Sequence, residues 1–294
     1  MQLGRRDVLV TMGAALVTVP TLAAARARQM YAVCGGPIVR IRDAATHQVV
    51  WEWDANHDPN VGADVRASFK TTADCKWVDG DSSLLVVSSH DGVAIIDRAT
   101  RRASFVAQVG HAHSADVTPG GIVLVAGSDG ERGGDVLAMY DRRNGRERLA
   151  EAMLDSAHGV VFDHRLGAFW ALGRSELRLV ATTRSLSTLW STNLPTTGGH
   201  DLIETAAGVL VMTTDTNVYT FDTKTRQFRP HRPLYAERGV KSVSVSAKGR
   251  LMVVRADDTA NGIWWTQQLR FLYPVTAIDV GERIYKARWS TMRR

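Results

Sequence analysis

The chain has 294 residues, enough to bury a substantial hydrophobic core in one large domain or two small ones. Hydrophobic residues make up 45% of it and charged residues 22%, with only 8 prolines, which excludes a mainly disordered, collagen-like or disulfide-scaffold chain. The formal net charge is +6, but no run of Lys and Arg could follow a phosphate backbone, so we expect no nucleic-acid binding.

The first 27 residues have the features of an export signal. Arg5 and Arg6 come directly before an apolar stretch that runs to Ala25 and ends in small residues. The arginine pair resembles the bacterial twin-arginine motif, which sends folded proteins out of the cytoplasm. An uncleaved N-terminal anchor helix is the alternative, and Pro20 and the small residues favour cleavage over it. We therefore expect residues 1–27 to be a twin-arginine signal peptide, a periplasmic or extracellular location, and no membrane attachment after cleavage.

A unit of short apolar strands and a tight turn recurs along the rest of the chain. Its marker is an apolar pair followed by a turn, and the copies lie, in chain order, at Asp43, Asp97, Asp141, Ala181, Asp222 and Thr266. These positions are 54, 44, 40, 41 and 44 residues apart, and a period of about 40–50 residues is typical of the blades of a β-propeller. We expect each aspartate to accept backbone N–H bonds and so to hold the hairpin between the third and fourth strands of a blade.

Counting strands between the turns predicts six blades, one of them incomplete. Residues 31–53 hold three strands, whereas four strands are predicted in each of the segments 74–107, 111–150, 158–193, 200–231 and 240–280. Residues 283–289 alternate as a strand at the end of the chain and can supply the missing one. We therefore predict an all-β fold, a single six-bladed β-propeller over residues 28–294, closed by a C-terminal strand that completes the N-terminal blade.

Short stretches spread over this region also resemble a known family. They are residues 74–76, 93–98, 111–115, 198–202, 240–243 and 264–266. The family consists of secreted bacterial six-bladed propellers known only as a domain of unknown function. The resemblance therefore implies the fold and gives no activity.

Chemistry-bearing residues recur at one position of the repeat, where the innermost strands begin. Aligning each repeat on its buried second strand places five residues at nearly the same position, with Lys286 or Tyr285 as the sixth: Cys75, His113, His158, His200 and Lys241. Because the innermost strands of a propeller line its central channel, we expect these side chains to converge on one solvent-filled mouth. Three of the nine histidines fall at this position, which is the strongest functional signal in the sequence.

Three alternatives for this ring stay open. His113, His158 and His200 are candidate metal ligands, because three neutral imidazoles with an open position suit a divalent transition metal. Without a metal, protonated histidines and a lysine can bind a carboxylate or a phosphate. In a purely structural ring, each histidine would only form hydrogen bonds to the neighbouring inner strand.

Further residues around the ring complete the predicted site. Lys241 or His111 is the candidate catalytic base, since His111 and His113 are two apart and project to one face of a strand. The candidate ligand-binding residues adjoin or belong to the ring and are Cys75, Lys76, Ser114, Asp201 and Ser242. Removing residues 1–27 takes away three arginines and one aspartate and leaves a net charge of about +4, which suits an anionic ligand.

Two classes of function fit this pattern. The first is a metal-assisted lyase or hydrolase acting on a small anionic molecule such as an acidic saccharide. The axial histidines resemble those of oligogalacturonate lyases, which are propellers with a histidine-held metal, although no motif matches them. In such an elimination a cation neutralises the substrate carboxylate while a base removes the adjacent proton. The second is a non-catalytic propeller that binds a ligand or a protein. Fold alone does not choose between them, and we expect a monomer in either case.

The cysteines and tryptophans each allow two roles. Cys34 and Cys75 are the only cysteines. In an oxidising compartment they could form a disulfide, and otherwise Cys75 is a soft metal ligand in the ring. Four tryptophans could stack on sugar rings or pack between blades, and packing is the more common role for aromatic residues on outer strands: Trp51, Trp53, Trp264 and Trp265.

Overall fold

The computed structural model describes residues 28–128, 134–183 and 185–291, so the predicted signal peptide lies outside the described residues. Within these ranges, 24 strands form six four-stranded antiparallel sheets arranged as the blades of a propeller. No helix of the described residues is long and apolar enough to cross a membrane. The predicted six-bladed all-β fold is confirmed.

The first three blades have these strands. Blade 1 contains β1 (Met30–Cys34), β2 (Ile38–Asp43) and β3 (Val49–Asp54), with β24 (Lys286–Trp289) innermost. Blade 2 contains β4 (Thr72–Val78), β5 (Ser83–Ser88), β6 (Gly92–Asp97) and β7 (Arg102–Gln108). Blade 3 contains β8 (Ala112–Val117), β9 (Ile122–Gly127), β10 (Val136–Asp141) and β11 (Asn144–Met153).

The other three blades follow the same order from the axis outward. Blade 4 contains β12 (Gly159–Asp163), β13 (Ala168–Leu172), β14 (Glu176–Thr182) and β15 (Leu186–Asn193). Blade 5 contains β16 (Asp201–Ala206), β17 (Val209–Thr213), β18 (Val218–Asp222) and β19 (Gln227–Pro230). Blade 6 contains β20 (Val240–Val245), β21 (Leu251–Arg255), β22 (Thr266–Leu272) and β23 (Thr276–Ile284). Single turns of 3₁₀ helix lie at Arg66–Phe69 and Thr259–Asn261.

The core lies between the faces of neighbouring blades. Strands β5 and β13 are buried at every residue, because each of their faces packs against another blade, whereas outermost strands such as β15 alternate and stay partly exposed. Trp53 of blade 1, for example, belongs to one buried apolar cluster with Val86 and Ile96 of blade 2. The continuous β-branched runs of the second strands are explained by this burial on two sides.

The C-terminal strand closes the ring as predicted, although it is shorter than expected. β24 pairs antiparallel with β1 from Tyr31↔Trp289 to Cys34↔Lys286. Arg283 and Ile284, which were predicted to belong to the closing strand, instead end β23. The ring therefore closes through four residues on the axis.

The turn marker is correct for the aspartates and wrong for blade 6. Asp43 Oδ1 accepts hydrogen bonds from the backbone N–H groups of Ala45 and Thr46, both at 2.9 Å, and Asp97, Asp141 and Asp222 act in the same way. Thr266, the predicted sixth copy, begins the third strand of its blade instead of ending it. The apolar residues before it belong to the ten-residue loop 256–265 between β21 and β22, and they imitate the apolar pair of the marker.

Candidate functional site

The axis is filled at mid-depth by a network of ion pairs. Lys286 and Arg288 of β24 meet Asp74 of β4 and Asp201 of β16, and all four side chains are buried. The Arg288 guanidinium donates to Asp74 at 2.8 and 3.0 Å and to Asp201 at 2.9 and 2.5 Å. Lys286 Nζ lies 3.2 Å from Asp201 Oδ1 and 3.6 Å from Asp74 Oδ2. We call these four residues the axial plug, because their buried side chains occupy the axis at this depth.

The charges of the axial plug compensate one another. Burial by itself would raise the pKa of both carboxyl groups, but Arg288 and Lys286 outweigh it and hold the pKa of Asp74 and of Asp201 below the ordinary value. The same carboxylates raise the pKa of Arg288, against the effect of its burial. Asp74, Asp201 and Arg288 are therefore ionised together at neutral pH.

Three predicted ligand-binding residues connect the innermost strands of neighbouring blades. Asp201 Oδ2 accepts a hydrogen bond from Val243 N at 3.0 Å, Ser242 Oγ accepts one from Ala287 N at 3.1 Å, and Ser114 Oγ accepts one from Val160 N at 3.3 Å. Backbone N–H groups on the edge of an inner strand have no ladder partner, so these side chains satisfy donors that would otherwise be buried unpaired. Their place in the structure is thus the wall of the axis.

Cys75 and Lys76 lie away from the predicted ring. Cys75 is fully buried in the apolar cluster between blades 1 and 2, where burial raises its thiol pKa well above the ordinary value. Asp74 faces the axis instead. The register shift between Thr72 and Asp74 recurs between Ala112 and Ser114 and between Val240 and Ser242, so the counterpart of His113 and Lys241 in blade 2 is Ala73 and not Cys75. Cys34 lies in the same cluster, and both cysteines are free thiols.

Lys76 faces the opposite end of the axis. It lines a cavity of about 500 Å³ together with Asp116 and Arg288, at the end where the innermost strands finish. Its ammonium donates to the carbonyl oxygen of Val160. The axial plug separates this cavity from the end of the axis where the innermost strands begin.

The three predicted axial histidines do lie together at that other end. The rings of His113 and His158 stack with their centroids 4.2 Å apart and their planes inclined by 23°. The ring centroids of His200 and His158 are 5.4 Å apart, and those of His111 and His113 are 4.7 Å apart. Lys241 adjoins the group, with Nζ 3.0 Å from His200 Nε2. We call His113, His158, His200 and Lys241 the histidine mouth.

The hydrogen bonds of the mouth define the protonation of two imidazoles. His158 Nδ1 lies 2.9 Å from the carbonyl oxygen of Ser156, so this nitrogen carries the proton and Nε2 keeps its lone pair when the ring is neutral. His200 Nε2 lies 2.8 Å from Asp215 Oδ1. A carboxylate oxygen can only accept, so Nε2 carries the proton and donates it. Both ring nitrogens of His113, and Nδ1 of His200, are buried without a hydrogen-bond partner among the described residues.

Burial sets the charge of the mouth. It lowers the pKa of His113 and of His158 well below the ordinary value, and it lowers that of His200 despite the nearby Asp215 carboxylate. Burial also lowers the pKa of Lys241 to about 8. At neutral pH the mouth therefore consists of neutral imidazoles beside one ammonium that is still mainly protonated.

The mouth does not fit the metal site that the sequence suggested. Within the described ranges, no group of three or more His, Cys, Asp or Glu side chains could hold a metal ion. Imidazole lone pairs lie in the plane of the ring, and the rings of His113 and His158 lie face to face instead of edge-on to a shared point. The prediction that His113, His158 and His200 ligate one metal is not supported by this geometry.

The fold and the axis together define a six-bladed β-propeller with a closed ionic plug and a histidine-lined mouth. The model of a family of unknown function, DUF6528, matches residues 13–185, which is more than half of the chain. The chain belongs to this family, which assigns no activity to it.

The other comparisons show a similarity of fold and no further relative in sequence. Among curated proteins none matches the sequence. The structure is similar to a crystal structure of a protein of unknown function from Bacteroides caccae, with a TM-score of 0.61 and 14% sequence identity over 89% of this chain and 98% of that chain. A similarity at this identity shows a shared propeller architecture, so the function has to be argued from the site.

Proposed function

We propose that the histidine mouth binds a small anionic molecule. The observation that carries the proposal is Lys241, whose side chain is fully buried and whose pKa is lowered to about 8. Asp215, the carboxylate that acts on it, is exposed and bonds to His200 instead. A buried ammonium without a close counter-ion is costly, and a bound carboxylate or phosphate would supply the missing partner.

The contrast with the axial plug supports the same proposal. In the plug, Lys286 and Arg288 are matched by two carboxylates at hydrogen-bond distance. At the mouth, the ammonium of Lys241 lies beside His200 Nε2 and the Trp264 ring, neither of which is a counter-ion, and the nitrogens of His113 have no partner among the described residues. The N–H group of the neutral His113 ring is free to donate a hydrogen bond to an oxygen of an anion, and protonation of the ring would add a second donor.

Anion binding at this mouth should be coupled to proton uptake. An anion between Lys241 and the imidazoles favours their charged forms and so raises the pKa values that burial has lowered. Affinity should therefore increase as the pH falls from 7 to 6. It should decrease above pH 8, where Lys241 loses its proton.

We extend the proposal to the two classes of function that the sequence suggested. In a lyase acting on an acidic saccharide, Lys241 would neutralise the substrate carboxylate without a metal, and His111 at the edge of the mouth would be the base. In a non-catalytic propeller the same groups would only bind. Both alternatives require the anion site, and turnover of a bound acidic saccharide would distinguish them.

Calorimetric titration with inorganic phosphate at pH 6, 7 and 9.5 tests the anion site. We expect measurable binding at pH 6 and 7, at least tenfold weaker binding at pH 9.5, and at least tenfold weaker binding in Lys241→Met and His113→Ala at pH 7. The matched control is Lys224→Met, because Lys224 is exposed in a hairpin of blade 5. Binding that is unchanged in Lys241→Met would refute the proposal.

We also propose that the protein is exported and acts as a monomer in the periplasm or outside the cell. The arginine pair before an apolar stretch in residues 1–27 supports export through the twin-arginine route. The scattered positive charge supports a small ligand over nucleic acid, and cleavage near residue 27 would leave no apolar stretch to hold the chain in a membrane.

A further inference from the structure

Trp264 is the exposed aromatic residue next to the histidine mouth. Its ring lies 4.6 Å from Lys241 Nζ, although 51% of the residue is open to solvent. Exposing a large apolar ring to water costs free energy. The position of the exposed Trp264 ring beside a buried ammonium therefore calls for an explanation. The contact means that one side of the indole covers Lys241 while other parts of the residue remain accessible.

The loop that carries Trp264 is ordered by its own hydrogen bonds. It is the loop 256–265, in which the Asp258 side chain accepts a bond from Asn261 N at the short 3₁₀ helix. Gly262 then turns the chain with φ of 76°, a left-handed conformation that favours glycine. A bridge between Asp258 and Ile263 closes the loop just before the indole. Trp264 is thus held at the mouth by local structure.

The neighbouring tryptophan, Trp265, contacts a different cation. Trp265 is partly buried, and the guanidinium of Arg283 lies 4.4 Å from the centroid of its ring. Adjacent residues in an extended segment point to opposite sides, which explains why the two rings meet different cations. Of the two tryptophans, Trp264 is the one that contacts Lys241.

We infer that Trp264 is the ring-binding residue of the mouth, so that the site prefers anions that carry a sugar or aromatic ring. The inference rests on the proposed anion binding. Since Lys241 is fully buried, an anion reaches its ammonium only when the indole shifts away from it. The ion pair then replaces the weaker cation–π contact, and the released indole can lie against the flat face of a ring attached to the anion.

Three monocarboxylates that differ in their ring test the inference. Acetate has no ring, benzoate has an aromatic ring and glucuronate has a sugar ring, and each is titrated calorimetrically into the purified protein at pH 6.5. We expect at least one ring-bearing acid to bind about tenfold more tightly than acetate. A preference for benzoate alone or glucuronate alone identifies the kind of ring.

Substitutions of the two tryptophans assign the preference to one residue. Trp264→Ala should remove the advantage of the ring-bearing acid, while acetate should bind at least as tightly as before because no cation–π contact has to be broken. Trp264→Phe should retain part of the advantage. Trp265→Ala, from the same loop, should behave like the unsubstituted protein. Thermal melts of all variants establish that each is folded, and Trp264→Phe provides the comparison if the alanine variant is not.

Each remaining outcome decides against the inference. Equal affinity for the three acids, or an equal loss of acetate and ring-bearing acid in Trp264→Ala, overturns the ring preference and leaves anion binding standing. If neither phosphate nor any of the three acids binds to the unsubstituted protein, the proposed function fails, and the ring preference fails with it.

Discussion

Lys241 shows how a residue can be costly for the fold and useful for a site. Its side chain is completely buried, and its pKa of about 8 lies below the ordinary value because burial penalises the ammonium more than Asp215 stabilises it. A lowered lysine pKa means that the folded state binds the proton less tightly than the unfolded state does. The residue therefore destabilises the fold wherever both states are protonated, which is the range below pH 8.

Replacing Lys241 by Met should stabilise the protein while removing anion binding. The pKa difference corresponds to roughly 3 kcal/mol at pH 7, and Met fills a similar volume without a charge. The stability of the unsubstituted protein should also rise between pH 8 and about 10.4, where only the unfolded state holds the proton. Urea denaturation at pH 7 and 10 measures both effects, and that rise should disappear in Lys241→Met. A less stable Met variant would show that the ammonium is part of the structural framework.

At the scale of single elements, β24 carries the two cations of the axial plug. Lys286 and Arg288 are two residues apart and so project to the same side of the strand, toward the axis. There they meet carboxylates from β4 and β16, on two other blades. The strand that closes the ring at blade 1 is thereby bonded through its side chains to blades 2 and 5 as well.

Removing the guanidinium of this strand should be strongly destabilising. Arg288→Met leaves the two buried carboxylates with Lys286 as the only cation in ion-pair contact among the described residues. Breaking a buried ion network in this way typically costs about 3–5 kcal/mol. Arg142→Met is the matched control, because Arg142 makes a bidentate pair with Asp79 on the surface, where a loss of at most about 1 kcal/mol is expected. Equal losses in urea denaturation would contradict the role given to the axial plug.

The contribution of the axial plug to stability should depend on pH in a definite direction. Asp74 and Asp201 have lowered pKa values, so their contribution to stability is complete above the unfolded value near 3.9 and is lost as the pH falls through their folded values. The unsubstituted protein should thus stay stable at pH 5 and unfold in stronger acid. In Arg288→Met the carboxylates lose their main partner, and the loss of stability should begin at higher pH.

At the scale of the whole molecule, closure depends on the last described residues of the chain. Deleting residues 286–294 removes β24, which exposes the inner edge of β1 and leaves Asp74 and Asp201 without their cations. We expect a large loss of melting temperature or aggregation. Deleting residues 292–294 alone leaves β24 intact and should change neither. A monomeric deletion variant that lacks 286–294 and melts normally would refute this account of closure.

The proposed export depends on residues 1–27, outside the propeller. Replacing Arg5 and Arg6 together by Lys should stop export while the cytoplasmic product stays folded, because the twin-arginine route recognises the side chains and not only their charge. Cell fractionation with an antibody against the propeller measures the result. Normal export of the double variant would indicate the general secretory route.

The sequence by itself determined the number of blades and their closure. The turn marker and the β-branched second strands are local features. They recur at a fixed period because every blade needs a tight hairpin and a strand that is buried on both faces. Counting three strands in the first blade was enough to predict that β24 completes it. The marker misplaced blade 6 at Thr266, because apolar loop residues resemble a strand when only the pattern is considered.

The clustering of the histidines could also be derived from the sequence. His113, His158 and His200 occupy equivalent positions in blades 3, 4 and 5, and symmetry about the axis brings such positions together. Cys75 lies elsewhere because the counterpart of His113 and Lys241 in β4 is Ala73, as the shared register shift at the start of the three strands shows. An error of two residues in blade 2 cannot be detected in an alignment of short, degenerate repeats.

Only the tertiary structure decided what the axis contains and how the histidines are oriented. Asp74 and Asp201 lie 214 and 87 residues from Arg288, so no local pattern pairs them before the ring is closed. The rings of the mouth take their orientation from particular hydrogen bonds, that of His158 to Ser156 and that of His200 to Asp215, and these leave two imidazoles stacked. A repeat predicts which residues meet, whereas the direction in which their nitrogens point depends on neighbours that the repeat does not share.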